Sequence, residues 1–82
     1  MKIEGQAALV TGGGSGLGEA TARELARLGA KVAVLDVNLE GAQRVASDIG
    51  GIGLKCDVTD TASVQAAIDA AAAAHGPARI LM

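Results

Sequence analysis

With 82 residues, half of them hydrophobic and 20% charged, the chain can build one small core but not two, and it is not a disordered segment. A formal net charge of −2 gives no electrostatic basis for nucleic acid or an anionic membrane as partner, and no apolar run approaches the roughly 20 residues that span a bilayer. The single cysteine, Cys56, excludes an internal disulfide and fits a reducing compartment such as the cytoplasm, and Met1–Gln6 lacks the apolar core of a signal peptide.

Ala7–Thr11 is a short apolar run that stops at glycines and reads as a buried strand. After the glycines, Leu17, Thr21, Leu25 and Leu28 recur at helical spacing up to Gly29, a fitting helix stop. Glu19 with Arg23 and Glu24 with Arg27 belong to the solvated face of that helix. Lys31–Asp36 is a second buried strand with an acid at its carboxyl end. Asn38 caps a second helix with the stripe Leu39, Ala42, Val45, Ala46 and Ile49, which Gly50 and Gly51 end. Ile52–Cys56 is a third strand weakened by glycine. Thr59 or Asp60 caps a third helix that buries Val64, Ala67, Ile68 and Ala71 and stops at Gly76-Pro77. Arg79–Met82 begins a fourth strand. Strand and helix alternate, which predicts an α/β fold: a Rossmann-type parallel sheet with helices on both faces, broken off after the start of its fourth strand.

Thr11-Gly12-Gly13-Gly14-Ser15-Gly16-Leu17-Gly18 follows a strand and opens a helix. A pyrophosphate needs backbone N–H donors and the positive end of a helix dipole, and side chains at the turn would hold it away from both. Glycine removes that obstacle. The spacing is T-G-x-x-x-G-x-G rather than G-x-G-x-x-G, and no lysine follows to make a P-loop. Gly18 is expected to allow close packing of helix on strand. Asp36, at the end of the second strand, can accept bonds from adenosine ribose hydroxyls, and its charge repels a 2′-phosphate. No Arg or Lys stands at positions 12 to 18 or 37 to 39 to offset that charge, so NAD is expected over NADP. Asp57 closes the third strand at the same edge of the sheet.

These residues resemble the short-chain dehydrogenases/reductases. The likeness runs from the T-G-G-G-S-G-L-G loop through Gly29-Ala30-Lys31-Val32 and Asp36 to Cys56-Asp57-Val58-Thr59 and covers essentially the whole chain. The resemblance implies an oxidoreductase acting on hydroxyl or carbonyl groups of a small-molecule substrate with NAD. It places Ser15 at the nucleotide, Leu17 beside the pyrophosphate, and Asp57 and Val58 at the adenine. Cofactor-binding residues are therefore expected at Gly12, Ser15, Gly16, Leu17, Gly18, Asp36, Asp57 and Val58. Ser15 also reads as a small polar turn residue, and Asp57 as a turn cap near Thr59. Within the family the wording around Val34-Leu35-Asp36 and Cys56-Asp57-Val58-Thr59 is similar to that of 3-hydroxyacyl-CoA dehydrogenases.

The family's chemistry implies a Tyr, a Lys four residues after it, a Ser and often an Asn. The chain has no Tyr, and its only lysines after the loop, Lys31 and Lys55, fall on strands. Residues 1 to 82 are thus expected to be the N-terminal part of a single NAD-binding domain, inactive alone, from a parent that forms homo-oligomers through later helices. In the family's 3-2-1-4 order two helices lie on one face and the third on the other, and the truncated fourth strand is the edge. The resemblance thus implies an incompletely covered sheet and predicts marginal stability or self-association, which a sharp, reversible monomeric unfolding transition would contradict. Cys56 reads as a small buried hydrophobe and His75 as a helix-end residue. A non-catalytic nucleotide-binding or interaction module and a methyltransferase fragment remain as alternatives.

Overall fold

The computed structural model describes residues 2 to 82, so Met1, the first residue of the N-terminal segment read above, lies outside it. The elements run β1 (Ala7–Thr11), α1 (Gly16–Arg27), β2 (Lys31–Asp36), α2 (Leu39–Ile49), β3 (Ile52–Lys55), α3 (Thr61–His75) and β4 (Ile80–Leu81). All strand pairs are parallel, in the order β3-β2-β1-β4. The β4 ladder extends past its two-residue core: Arg79 N–H donates to the Ala7 carbonyl, and Met82 N–H to that of Leu9.

Alternation along the strands divides the core in two. Val32 and Val34, with Ala8 and Val10, face α1 and α2, where they meet Ala22, Leu25, Ala42, Val45 and Ala46. Ala33 and Leu35, with Leu9 and Cys56, face α3 and meet Ala67 and Ala71. Both faces of β2 are therefore buried, which is why it reads as an unbroken apolar run. Burying each such Val or Leu side chain contributes about 1.5–3 kcal/mol.

Three details of the sequence reading change. Leu17 and Leu28 leave the core, at 84% and 39% exposed. Leu17 lies in the first turn of α1 and Leu28 caps its end, so neither sits over the sheet. Ile68 is also exposed, because α3 packs closely through its alanines and turns Ile68 to the flank, and Leu39, the first residue of α2, likewise leaves the stripe at 38% exposed. Gly18 serves the loop rather than helix-on-strand packing: a Cβ there would stand 2.1 Å from the Gly12 carbonyl oxygen. The glycine that weakened the third strand has a similar cause. A Cβ on Gly53 would meet the Ala42 backbone at 2.8 Å, so α2 can lie directly on β3 only where no side chain intervenes.

Helix ends follow local chemistry. Ala30 N–H donates to the Leu25 carbonyl and Gly29 N–H to that of Ala26, with Gly29 at φ +95°, so α1 closes in a Schellman motif. The Asn38 side chain accepts the Gly41 N–H and caps α2. Asp60, rather than Thr59, caps α3, accepting from Ala62 and Ser63.

Candidate functional site

The carboxyl ends of β1, β2 and β3 bring the glycine loop, Asp36 and Asp57 to one edge of the sheet. The loop leaves Thr11 through Gly12 at φ +66° and enters α1 through Gly16 at φ +59°, left-handed angles that strain any residue with a Cβ. Gly13 N–H donates to the Leu35 carbonyl at 3.2 Å, tying the loop to β2.

Ser15 occupies the N-cap of α1 yet makes no side-chain capping bond among the described residues. The first helical N–H with an intrahelical partner is that of Glu19, which donates to the Ser15 carbonyl. The N–H groups of Gly16, Leu17 and Gly18 are left without a capping side chain at the positive end of the helix. Such an end suits an anion of phosphate type.

Asp36 is half-buried, and each of its carboxylate oxygens accepts one backbone bond: Oδ2 from Gly14 N–H and Oδ1 from Asn38 N–H, both at 3.0 Å. A carboxylate has about four lone-pair sites, so acceptor capacity remains for a ligand's hydroxyls. The loop and the acid are thus one unit. A Cβ on Gly14 would come within 2.8 Å of Asp36 Oδ2, so glycine is required for the contact.

Asp57 follows Cys56, whose N–H continues the β2–β3 ladder by donating to the Asp36 carbonyl at 2.9 Å. Asp57 Oδ1 accepts the Thr59 hydroxyl at 2.6 Å and the Thr59 N–H at 2.9 Å. The Thr59 hydroxyl, then its N–H, and then the Lys55 charge hold the Asp57 carboxyl below its ordinary range. The turn-capping reading of Asp57 therefore describes what Oδ1 does, while Oδ2 is not engaged by any described residue.

Gly12, Asp36, Asp57 and Val58 line one open cleft of about 230 Å³, together with Val37 and Cys56. Cys56 is buried at its floor, while Val37 and Val58 stand 63% and 65% exposed on its walls. Ser15 lines an adjacent cleft with Gly14, Asn38, Glu40, Gly41 and Arg44. Gly16, Leu17 and Gly18 line neither and form the helix end between loop and solvent.

The clefts add residues not expected from the sequence: Val37 and Cys56 in the first, and Gly14, Asn38, Glu40, Gly41 and Arg44 in the second. Val37 directly follows the acid, one residue past the end of β2. Arg44 lies beyond positions 37 to 39 in sequence, yet its Nη2 donates to the Gly14 carbonyl at 3.1 Å. The signal was helical spacing: Asn38, Gly41 and Arg44 stand three apart and share one face of α2.

His75 lies at the opposite end of the sheet, where α3 feeds β4. Its Nδ1 is buried without a hydrogen-bond partner among the described residues.

A parallel sheet of order 3-2-1-4 with a glycine loop after its first strand and acids after its second and third defines a nucleotide-binding α/β protein. The family model for short chain dehydrogenases matches residues 6–82, and the chain belongs to that family. It is similar to the D-threitol dehydrogenase of Mycolicibacterium smegmatis, 48% identical over 87 residues, covering 100% of this chain and 34% of the relative. Among solved structures it resembles a 3-ketoacyl-(acyl-carrier-protein) reductase from Brucella melitensis complexed with NADH, with TM-score 0.94, 43% identity, and 96% of this chain and 34% of that one covered. A short chain dehydrogenase/reductase from Burkholderia phymatum in complex with NAD gives TM-score 0.94 and 36% identity, over 99% of this chain and 31% of that one. The chain thus spans about a third of the length of the relatives it matches. Family membership removes the methyltransferase alternative.

Proposed function

We propose that this chain is the adenosine-binding part of an NAD-dependent short-chain dehydrogenase/reductase. The observation that carries the reading is the joining of Asp36 to the glycine loop through Gly14 N–H, beside an α1 N-terminus with no side-chain cap. Asp36 would take the ribose hydroxyls. The N–H groups of Gly16, Leu17 and Gly18 would take the pyrophosphate, with the Ser15 hydroxyl beside it and the exposed Leu17 side chain over it. Gly12 leaves room for the nucleotide. Val37 and Val58 would hold the adenine between them, with Asp57 Oδ2 accepting from its exocyclic amine.

When bound, NAD supplies the acceptor for the hydride lost by an alcohol. This chain's residues bind and orient its adenosine end. The proton-transfer tyrosine implied by the family resemblance is not among these 82 residues, so no acid–base step is assigned to them. Small hydroxyl- or carbonyl-bearing substrates fit the relatives' names, a polyol dehydrogenase and a ketoacyl reductase among them. Among the described residues no helix is long and apolar enough to cross a membrane, and a reducing compartment such as the cytoplasm suits the free Cys56. The parent is taken to be a homo-oligomer, as the family resemblance implies.

Calorimetric titration of the chain with NAD and NADP tests the reading. NAD should bind more tightly. Equal or tighter NADP binding would contradict the role given to Asp36, and an absence of NAD binding would favour an interaction module without a nucleotide.

A further inference from the structure

Arg44 touches the glycine loop but has no part in the adenosine reading. Its Nη2 donates to the Gly14 carbonyl at 3.1 Å and lies 3.2 Å from Glu19 Oε1. Glu19 also accepts from Arg23 Nε at 2.9 Å, and Arg23 Nη2 donates to Asp48 Oδ2 at 2.9 Å. A chain of alternating charges thus links α1 to α2 and ends on Gly14. That glycine is held at both polar atoms, its N–H by Asp36 and its carbonyl by Arg44.

Asp36 stands between the two clefts. It lines the first, and the residues whose N–H groups it accepts, Gly14 and Asn38, line the second. A phosphate added to a ribose hydroxyl at Asp36 has to pass that carboxylate, and the space beyond it is the second cleft. Arg44 is the cation lining that cleft, where Glu40 adds a second negative charge. A guanidinium is well matched to a phosphate, provided its donors and charge are not already taken. Here Nη2, the nitrogen turned to the loop, is already shared between the Gly14 carbonyl and Glu19, and the charge is paired with Glu19. The Arg23 and Arg44 bonds hold the Glu19 carboxyl below its ordinary range, so it stays charged near neutral pH.

We propose that Glu19 is a specificity residue: by pinning Arg44 on the Gly14 carbonyl, it withholds from a 2′-phosphate the one cation positioned to receive it. NAD preference then has two layers, repulsion by Asp36 and neutralisation of Arg44 by Glu19. The inference rests on the adenosine-site reading and adds a residue outside both clefts to it.

The test titrates the chain with 5′-AMP and adenosine 2′,5′-bisphosphate, which differ only in the 2′-phosphate. In an Asp36→Asn background, adding Glu19→Gln should improve bisphosphate affinity relative to AMP by about tenfold, the scale of one charge-assisted bond. Adding Arg44→Met to that pair should abolish the gain. Bisphosphate affinity that ignores Arg44→Met, with AMP binding intact, would overturn the inference alone. Failure of the unmutated chain to bind AMP would sink the adenosine-site reading and the inference with it. Thermal melts accompany each titration, with Glu19→Ala as second variant. Unfolding of both Glu19 variants would make the ion pair a requirement of the fold and overturn its specificity role.

Discussion

The N-termini of α1 and α3 are the same physical object finished in two different ways. Asp60 accepts two N–H groups of the first turn of α3 and closes it. At α1 the cap residue is Ser15, a good capping type, yet its side chain makes no such bond, and the preceding residues are glycines. A helix whose only task is to pack satisfies its own orphan donors. A helix that holds an anion keeps them available, and stability is given up locally for binding. The N-terminus of α2 belongs with α3, because Asn38 caps it.

The largest expected effect breaks the α1 end itself. Gly18→Ala puts a Cβ 2.1 Å from the Gly12 oxygen and 2.6 Å from its carbonyl carbon, two backbone atoms that cannot rotate away. Urea denaturation should show a loss of about 3 kcal/mol, at the upper end of overpacking costs, with nucleotide binding lost as the loop shifts.

Next comes Asp36→Asn, which keeps the shape and removes the charge. NAD affinity should fall by a factor of about 10, in keeping with charge-assisted hydrogen bonds, while NADP affinity falls less or rises. Calorimetry on both cofactors checks it, and an unchanged ratio would separate Asp36 from cofactor choice.

A sharper comparison pairs Asp60→Ala with Ser15→Ala. The first removes a working cap and should cost about 1 kcal/mol of stability while leaving NAD affinity unchanged. The second removes no cap bond, so stability should hold within about 0.5 kcal/mol, and NAD affinity should drop by a few-fold. The opposite assignment of effects would mean that Ser15 is a structural cap after all.

The smallest effect is on acid stability. Asp57 titrates lower in the folded chain because Thr59 bonds to the charged carboxylate. Its contribution is therefore complete above the unfolded-state value of about 4 and is lost as pH falls through the lower folded value. Glu19 and Glu24, held down chiefly by their arginine partners, act in the same direction. Urea midpoints should decline below about pH 4, and Asp57→Asn should flatten part of that decline.

Much of this was readable from residue order because the signals were local. β2 is one apolar run since both its faces are covered, and Asn38, Gly29 and Gly50 act on their own helix ends. Asp36 and the glycines were readable as a pair because sheet topology puts the ends of adjacent strands together. What could not be read depended on contacts across sequence. Leu17 fits a helical stripe, yet the stripe begins one turn later, at Ala22. Gly53 looks like a weak strand residue until α2 is laid on it. Arg44 is 30 residues from the carbonyl it meets, and only the packing of α2 beside the loop brings them together.

The most direct test of the contrast between helix ends is an amide chemical-shift titration of the isotope-labelled chain with NAD. The account predicts large shifts at Gly14, Gly16, Leu17 and Gly18, with further shifts at Val37 and Val58. Ala62 and Ser63, whose amides Asp60 already holds, should stay still. Shifts of equal size at the two helix ends, or none at Gly16–Gly18, would contradict it.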